Sequence, residues 1–412
     1  MDVEPGYRAA REGVAVLPRS GRRFLEVTGT AAGDMLKGIL SGTIPGPLRA
    51  GSPERHTSPD AGVNAEALPG EPAGLPEDGE NGTLMGEVYY STLLTPKGRM
   101  VTDLRILPLP SGGFLLELPE VGFPGATAYF KKFLNPRFAQ TRDLSRELAM
   151  VSVVGPEASE SVAKVLGQAG LPSGFGKPRS EEGESGRPES GQPESGKLES
   201  RKPESGKPES GKLESGKLES GKAPQADGLL VIQHPRFGPV LVLENPDPGV
   251  AALDLVVEAG AAGDMEEALK EAGADPLSTE AWDVLRIEAG TPVFGKDMTE
   301  ETIPVEAGIH LRAVDYQKGC YTGQEFIIRL RDRGKVNKTL RRILLGEAPV
   351  PEPGTEFFSG REGRSRGWVT SACASPWFGQ TVALGYVKRG QEEEEEIRLG
   401  GTDGPSGRVE PI

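Results

Sequence analysis

The sequence predicts an α+β protein that ends in a small β-barrel. Three observations carry this. Alternating apolar runs are interleaved with runs of helical period through most of the chain. From Leu340 onward only short alternating runs remain, which fits a closed sheet. Two stretches poor in large apolar residues interrupt the pattern, which splits the folded residues into parts.

The elements follow in order. Arg23-Phe24-Leu25-Glu26-Val27 alternates as a strand, and Met35, Leu36, Ile39 and Leu40 share one face of a following helix. From Pro45 to Asn81 the chain is rich in Pro, Gly, Ala and Glu, so it is expected to be a disordered insert, bounded at about 45–83. Val88–Leu94, Met100–Leu109 and Phe114–Leu118 are consecutive strands, joined by turns at Pro96-Lys97-Gly98 and Ser111-Gly112-Gly113. Ala126, Tyr129, Phe130, Phe133 and Leu134 form a helical stripe stopped at Asn135-Pro136. A strand over Leu148–Val154 and a helix around Val162, Val165 and Leu166 complete the first part.

Next, Glu-Ser recurs every five residues from Glu184 to Glu219, flanked by Gly, Lys and Pro or Leu. Such a segment has nothing to bury and cannot offset the entropy of ordering, so it is expected to be a flexible linker. Beyond it, Leu229–Gln233 and Val240–Leu243 form a hairpin, and Met265–Ala272 and Ala281–Ala289 form helices. Leu340–Leu345, Glu356–Ser359, Gly367–Ser371 and Val382–Val387 are barrel strands, with Cys373 in their core. The expected division is 1–172, a linker at 173–227, 228–335 carrying the chemistry, and a barrel at 336–412.

Composition narrows the function. A net charge of -14 argues against gripping nucleic acid across the surface. The two cysteines, Cys320 and Cys373, exclude a disulfide framework, and the scattered His56, His234 and His310 argue against a histidine-built metal site. No apolar run approaches the roughly 20 residues that span a bilayer. The opening Met1-Asp2-Val3-Glu4-Pro5 lacks a basic head and apolar stretch, so the expectation is a cytoplasmic protein with no membrane contact.

The chemically loaded stretch is Lys318-Gly319-Cys320-Tyr321-Thr322-Gly323-Gln324-Glu325. An ammonium near a thiol favours the thiolate, and glycines permit tight turns or close ligand approach. An inert loop cysteine accounts for the same residues. Behind it, Arg329, Arg331, Arg333 and Lys335 alternate, as a strand face toward solvent or toward an anionic tail would.

This octapeptide resembles the signature of the YgfZ family of folate-binding proteins, K-G-C-[FY]-x-G-Q-E, at every position. Leu285–Gly295, Glu301–Gly308, Leu94–Arg99 with Asp103, Gly367–Ser371 and Ala383–Val387 resemble flanking segments that this family shares with the T-protein of the glycine cleavage system. The resemblance implies a ring-like, three-part folate-binding fold and a tetrahydrofolate cofactor. It also implies a role in maintaining iron–sulfur enzymes, including tRNA-modifying ones. Cys320 would be the working thiol with Lys318 tuning it, and Gly319, Tyr321, Gly323, Gln324 and Glu325 would line the site. In the T-protein pattern an arginine at the place of Arg286 contacts folate; a helix-surface salt bridge is the other reading. Asp103 would meet the pterin nitrogens, or else face solvent. The T-protein hairpin carries an acidic pair where this chain has Thr102-Asp103, which argues against the alternative function, folate-dependent aminomethyl transfer. A third reading is a folate-binding scaffold with a structural Cys320.

Overall fold

The computed structural model describes residues 4–50, 83–172, 174–176, 224–333, 336–359, 363–389 and 396–412. The repeat and most of the Pro-rich insert lie outside the described residues.

The first part runs α1 (Pro5–Glu12), β1 (Ala15–Pro18), β2 (Arg22–Thr28), α2 (Ala32–Ile39), β3 (Arg49–Ala50), β4 (Leu84–Leu94), β5 (Met100–Pro108), β6 (Phe114–Pro119), α3 (Phe123–Phe133), β7 (Gln140–Asp143), β8 (Leu148–Val154) and α4 (Ala158–Val165). After the repeat come β9 (Asp227–His234), β10 (Gly238–Glu244), β11 (Ala252–Glu258), α5 (Ala262–Glu271), β12 (Asp275–Pro276), α6 (Thr279–Ala289), α7 (His310–Ala313) and α8 (Gln324–Arg333). Then follow β13 (Lys338–Leu344), β14 (Glu356–Ser359), β15 (Ser365–Ser375), β16 (Gln380–Lys388), β17 (Glu396–Leu399) and β18 (Ser406–Glu410). No helix among the described residues is long and apolar enough to cross a membrane.

The expected strands and helices are present, and the last six strands close into a barrel, β13-β16-β15-β14-β17-β18. Two expectations change, and one feature of the sheet is new. The insert starts later than expected, because Arg49–Ala50 already pairs with β4. The alternating arginines after the signature lie on helix α8 and not on a strand; Phe326, Ile327 and Leu330 supply its apolar side, and Arg329 pairs with Glu325 one turn back. The parts on either side of the repeat share one sheet, ordered β12-β1-β8-β11-β10-β9-β4-β5-β6-β2-β7.

β4 is the strand that joins them. Its Leu84–Val88 half pairs with β9, and its Tyr89–Leu94 half pairs with β5. The two half-sheets face each other across a layer of Phe24, Val88, Leu107, Leu115, Met150, Leu229, Val231, Leu243 and Val256. On its outer side one half-sheet is covered by α2 and α3, with Leu36, Leu104, Ile106, Leu116 and Phe130 in contact. The other is covered by α4 and α5 through Val162, Met265, Leu269, Val153 and Leu255.

The inner layer changes character along the strands, and strand alternation fixes which residues meet there. At one end the inward residues are apolar. Moving an even number of positions along each strand, Phe24 gives way to Arg22, Leu107 to Arg105 and Asp103, Leu115 to Glu117, Met150 to Ser152, Leu229 to Asp227, and Val256 to Asp254. All but Arg22 are buried. A charged layer therefore sits inside the fold beside an apolar one.

Candidate functional site

Buried charges persist only when paired and hydrogen-bonded, so the charged layer is best followed partner by partner. Arg105 donates through Nε to Glu117 Oε2 at 2.7 Å, and its Nη2 lies 2.7 Å from Asp254 Oδ2. Glu117 also takes the Arg22 guanidinium. Burial would raise the Glu117 carboxyl, yet Arg105 and Arg22 hold it down at about 2. Asp254 accepts from Ser152 Oγ at 2.5 Å and from Asn245 Nδ2 at 2.9 Å. These bonds join β2, β5, β6, β8 and β11 across the interior.

Asp103 is different. Tyr90 Oη donates to its Oδ2 at 2.7 Å, but its Oδ1 is buried with no partner. Burial pushes the Asp103 carboxyl up, against the pull of Arg22 and Tyr90. The Tyr90 hydroxyl is pushed well above its usual range by burial and by Asp103. Arg312 on α7 lies over the Tyr90 ring, 4.6 Å from its centroid. Its Nη1 donates to Asp247 at 2.7 Å, its Nη2 reaches Asp227 at 3.4 Å, and its Nε has no partner. Arg312 holds the Asp247 carboxyl low despite burial. The layer opens to solvent on this side, where the Arg312 and Asp247 side chains keep 25% and 37% of their surface. Arg105 Nη1 is a third buried polar atom without a partner. Asp103, Arg105 and Arg312 thus present one acceptor and two donors that the protein leaves unused.

The signature loop is mounted on the same strand. Asp315 N–H donates to Ser41 O, and Ser41 Oγ lies 2.6 Å from Thr92 Oγ1, whose residue stands opposite Asp103 in the β4–β5 ladder. Lys318 Nζ donates to Leu40 O at 2.5 Å and Gly42 O at 2.8 Å, and stands 5.1 Å from the Tyr321 ring centroid. Burial lowers its ammonium to about 8. Two of its donors go to backbone carbonyls, so Lys318 anchors the loop that carries Cys320. Tyr321 is buried in the cluster of Leu94, Met100, Phe294 and Ile327. Gly323 adopts φ +86, and a Cβ there would stand 2.8 Å from Thr95 O, so this position requires glycine. Gly319 has open space around it and no such requirement. Cys320 is exposed and free, whereas Cys373 is free and buried in the barrel, where burial raises its thiol to about 12. Gln324 opens α8 through its N–H to Tyr321 O, and Glu325 faces solvent, 2.6 Å from Arg329.

Arg286 is not at this site. It is 1% exposed at the joint between α6 and the barrel. Its Nε reaches Asp283 at 2.6 Å, Nη1 meets Asp297 and Thr291 O, and Nη2 donates to Ser371 Oγ at 2.7 Å. All three nitrogens are engaged by groups of the protein, as in the salt-bridge alternative to a folate contact. A surface cavity of about 470 Å³ lies at the β4–β5 turn, lined by Thr95, Lys97, Arg99, Glu300 and Glu301, and it includes neither Asp103 nor Arg312.

The sequence singled out Asp103, which lies in the charged layer, and did not single out Tyr90, Arg105 or Arg312, which lie there with it. The signal for Arg105 was indirect. Its partners Glu117 and Asp254 each interrupt an apolar run, Phe114–Leu118 and Ala252–Val257, where a lone acid needs a buried cation.

The fold and the buried site define a class: an α+β protein with a C-terminal barrel and a polar interior. Residues 338–404 match the glycine cleavage T-protein C-terminal barrel domain. The chain is 34% identical over 320 residues to an aminomethyltransferase of Moorella thermoacetica, covering 76% of this chain and 72% of that one. It is 24% identical over 326 residues to the aminomethyltransferase of Nitrosomonas europaea, covering 77% and 72%. The crystal structure of the glycine cleavage system aminomethyltransferase T from Bartonella henselae superposes with a TM-score of 0.66 at 16% identity, covering 99% of this chain and 88% of that one. The chain belongs to the aminomethyltransferase, or glycine cleavage T-protein, family.

Proposed function

We propose that this protein binds tetrahydrofolate with the pterin edge against Asp103. The observation that carries this is Asp103 Oδ1, a buried carboxylate oxygen without a partner, beside a second oxygen already oriented by Tyr90. Leaving such a group unpaired costs about 1–3 kcal/mol, and a ligand that donates to it recovers that cost. The pterin ring N–H groups, N5–H among them, are such donors. The test is tetrahydrofolate titration of the wild type and Asp103→Asn, followed by ligand fluorescence. A fall of tenfold or more is expected in the variant; equal affinity would remove the pterin from Asp103. Wild-type affinity should also weaken on acidification as Asp103 is protonated, beginning at a higher pH than for an ordinary carboxylate, because its pKa is raised.

The relatives weigh toward folate-dependent aminomethyl transfer, which needs a carboxylate near the reacting folate nitrogen. Asp103 is the single acid at the place of the acidic pair, since Thr102 is buried with its hydroxyl on the Asp103 carbonyl. Release of ammonia and methylenetetrahydrofolate from an aminomethylated lipoyl carrier would establish this use, and its absence would remove it.

A second reading rests on a different observation. Cys320 stands exposed on a loop anchored through Lys318, within the octapeptide of the YgfZ family. In that reading the thiol and the folate together serve iron–sulfur enzymes, including tRNA-modifying ones. Rescue of a deletion strain by wild type but not by Cys320→Ala is its expected result; full rescue by the variant would leave the thiol without that role.

A further inference from the structure

We propose that the free edge of β7, together with the turn that leads into it, receives an extended acidic segment of a partner protein, which adds to the sheet as a further strand. The inference is independent of the folate reading.

β7 ends the sheet order, so it is paired by β2 on one side only. All four of its residues, Gln140 to Asp143, are exposed. An unpaired strand edge is a template for another chain. The opposite end of the sheet offers no such template. There β12 is two residues long and carries Pro276, which has no N–H to give.

The turn before β7 selects the chain that can use this edge. Phe133 at the end of α3 and Phe138 two residues before β7 are 44% and 48% exposed, so apolar surface stands open on the approach to the strand. Around them, residues 131–147 hold five Lys and Arg against two acids, in a chain whose net charge is -14. Lys131, Arg137 and Arg146 are exposed and make no ion pair among the described residues. Lys132 stands 5.1 Å from the Phe133 ring centroid. Arg142 alone of the five is neutralised, by Glu147. The acid on the strand, Asp143, stands at the end away from the turn and accepts from Ser145 N–H at 2.9 Å.

Charge decides among occupants. A second copy would bring Lys131, Lys132 and Arg137 up against themselves, and like charges at a pairing edge are unfavourable. An acidic segment is drawn to these cations while the rest of the acidic chain repels it, so the attraction is local to this edge. The open N–H and C=O groups of β7 favour a peptide over a nucleic acid, because they supply the ladder bonds by which strand addition holds an extended chain.

The probe is a fluorescein-labelled peptide alternating Glu with Val, titrated against the full chain by fluorescence anisotropy at low salt. It is expected to bind. Two counterparts, one with Lys in place of Glu and one N-methylated at every peptide bond, are expected to bind at least tenfold more weakly. The triple variant Lys131→Glu, Lys132→Glu, Arg137→Glu should weaken the Glu-Val peptide by a similar factor with its thermal melt unchanged, since these side chains are exposed. No binding of the Glu-Val peptide to the wild type would overturn the proposal. Equal affinity for the N-methylated peptide would overturn strand addition. Tighter binding of oligouridylate than of the peptide would overturn the protein partner in favour of a single-stranded nucleic acid. Self-association of the wild type that the triple variant abolishes would overturn it in favour of a second copy. Should the triple variant fail to fold, the wild-type titrations with the three peptides still decide.

Discussion

Replacing Arg286 by Met separates a structural role from a ligand-binding one at a position where the sequence allowed both. The guanidinium lies between Asp283, Asp297 and Ser371. Asp297 is fully buried and also accepts from Thr370 Oγ1 at 2.6 Å, Ser371 Oγ at 2.7 Å and Val293 N–H at 3.0 Å. These bonds tie α6, the turn at 293–297 and barrel strand β15 together. Met fills much of the arginine's volume but leaves the Asp297 carboxylate buried with neutral donors alone. Removing one partner of a buried pair costs about 3–5 kcal/mol. For a chain of this size that corresponds to a melting shift of about 4–7 °C. Thermal melting by circular dichroism gives the first readout. Arg286→Met with Asp297→Asn should recover a substantial share of the loss, because the second change removes the stranded charge. Tetrahydrofolate affinity, measured well below the melting range, should be unchanged in both variants. A native melting temperature combined with lost folate affinity would instead place Arg286 at the folate site.

The remaining predictions concern pH, thiols and the signature turn. His310 is buried with neither ring nitrogen partnered, and burial lowers its pKa to about 4 from 6.5. A base depressed on folding contributes stability that is present above pH 6.5 and lost as pH falls toward 4, at most about 3 kcal/mol; urea melts of His310→Leu should lose that part of the pH dependence, and a profile identical to wild type would assign it elsewhere. Ellman's reagent should titrate one thiol in the native protein, Cys320, and Cys373 only after unfolding, since the latter is buried with its thiol raised to about 12; two fast native thiols would contradict the barrel packing. Gly323→Ala should destabilise by about 1–3 kcal/mol, because it forces a left-handed backbone on a side chain against Thr95 O, whereas Gly319→Ala should be nearly neutral; equal effects would show that the turn is not the reason for the glycine.

Apolar period fixed the strands, most helices and the barrel in advance, because side-chain alternation is a local property that each segment carries alone. The octapeptide likewise marked its own loop, and the requirement for Gly323 agrees with it. Period could not say what lies opposite an inward polar residue. Arg105, Glu117 and Asp254 are far apart in sequence and meet only because β4 joins the two half-sheets face to face. The same holds for Arg312, which reaches Tyr90 from the helix before the signature. Arg286 shows the reverse: helical spacing placed it correctly on α6 beside Trp282, but the barrel covers that face and takes the guanidinium for itself. Local spacing therefore determined which segments are strands and helices and which face of each is apolar. Tertiary pairing decided which charges are neutralised and which buried polar atoms are left without a partner, because a charge buried in the interior is governed by the groups that close around it.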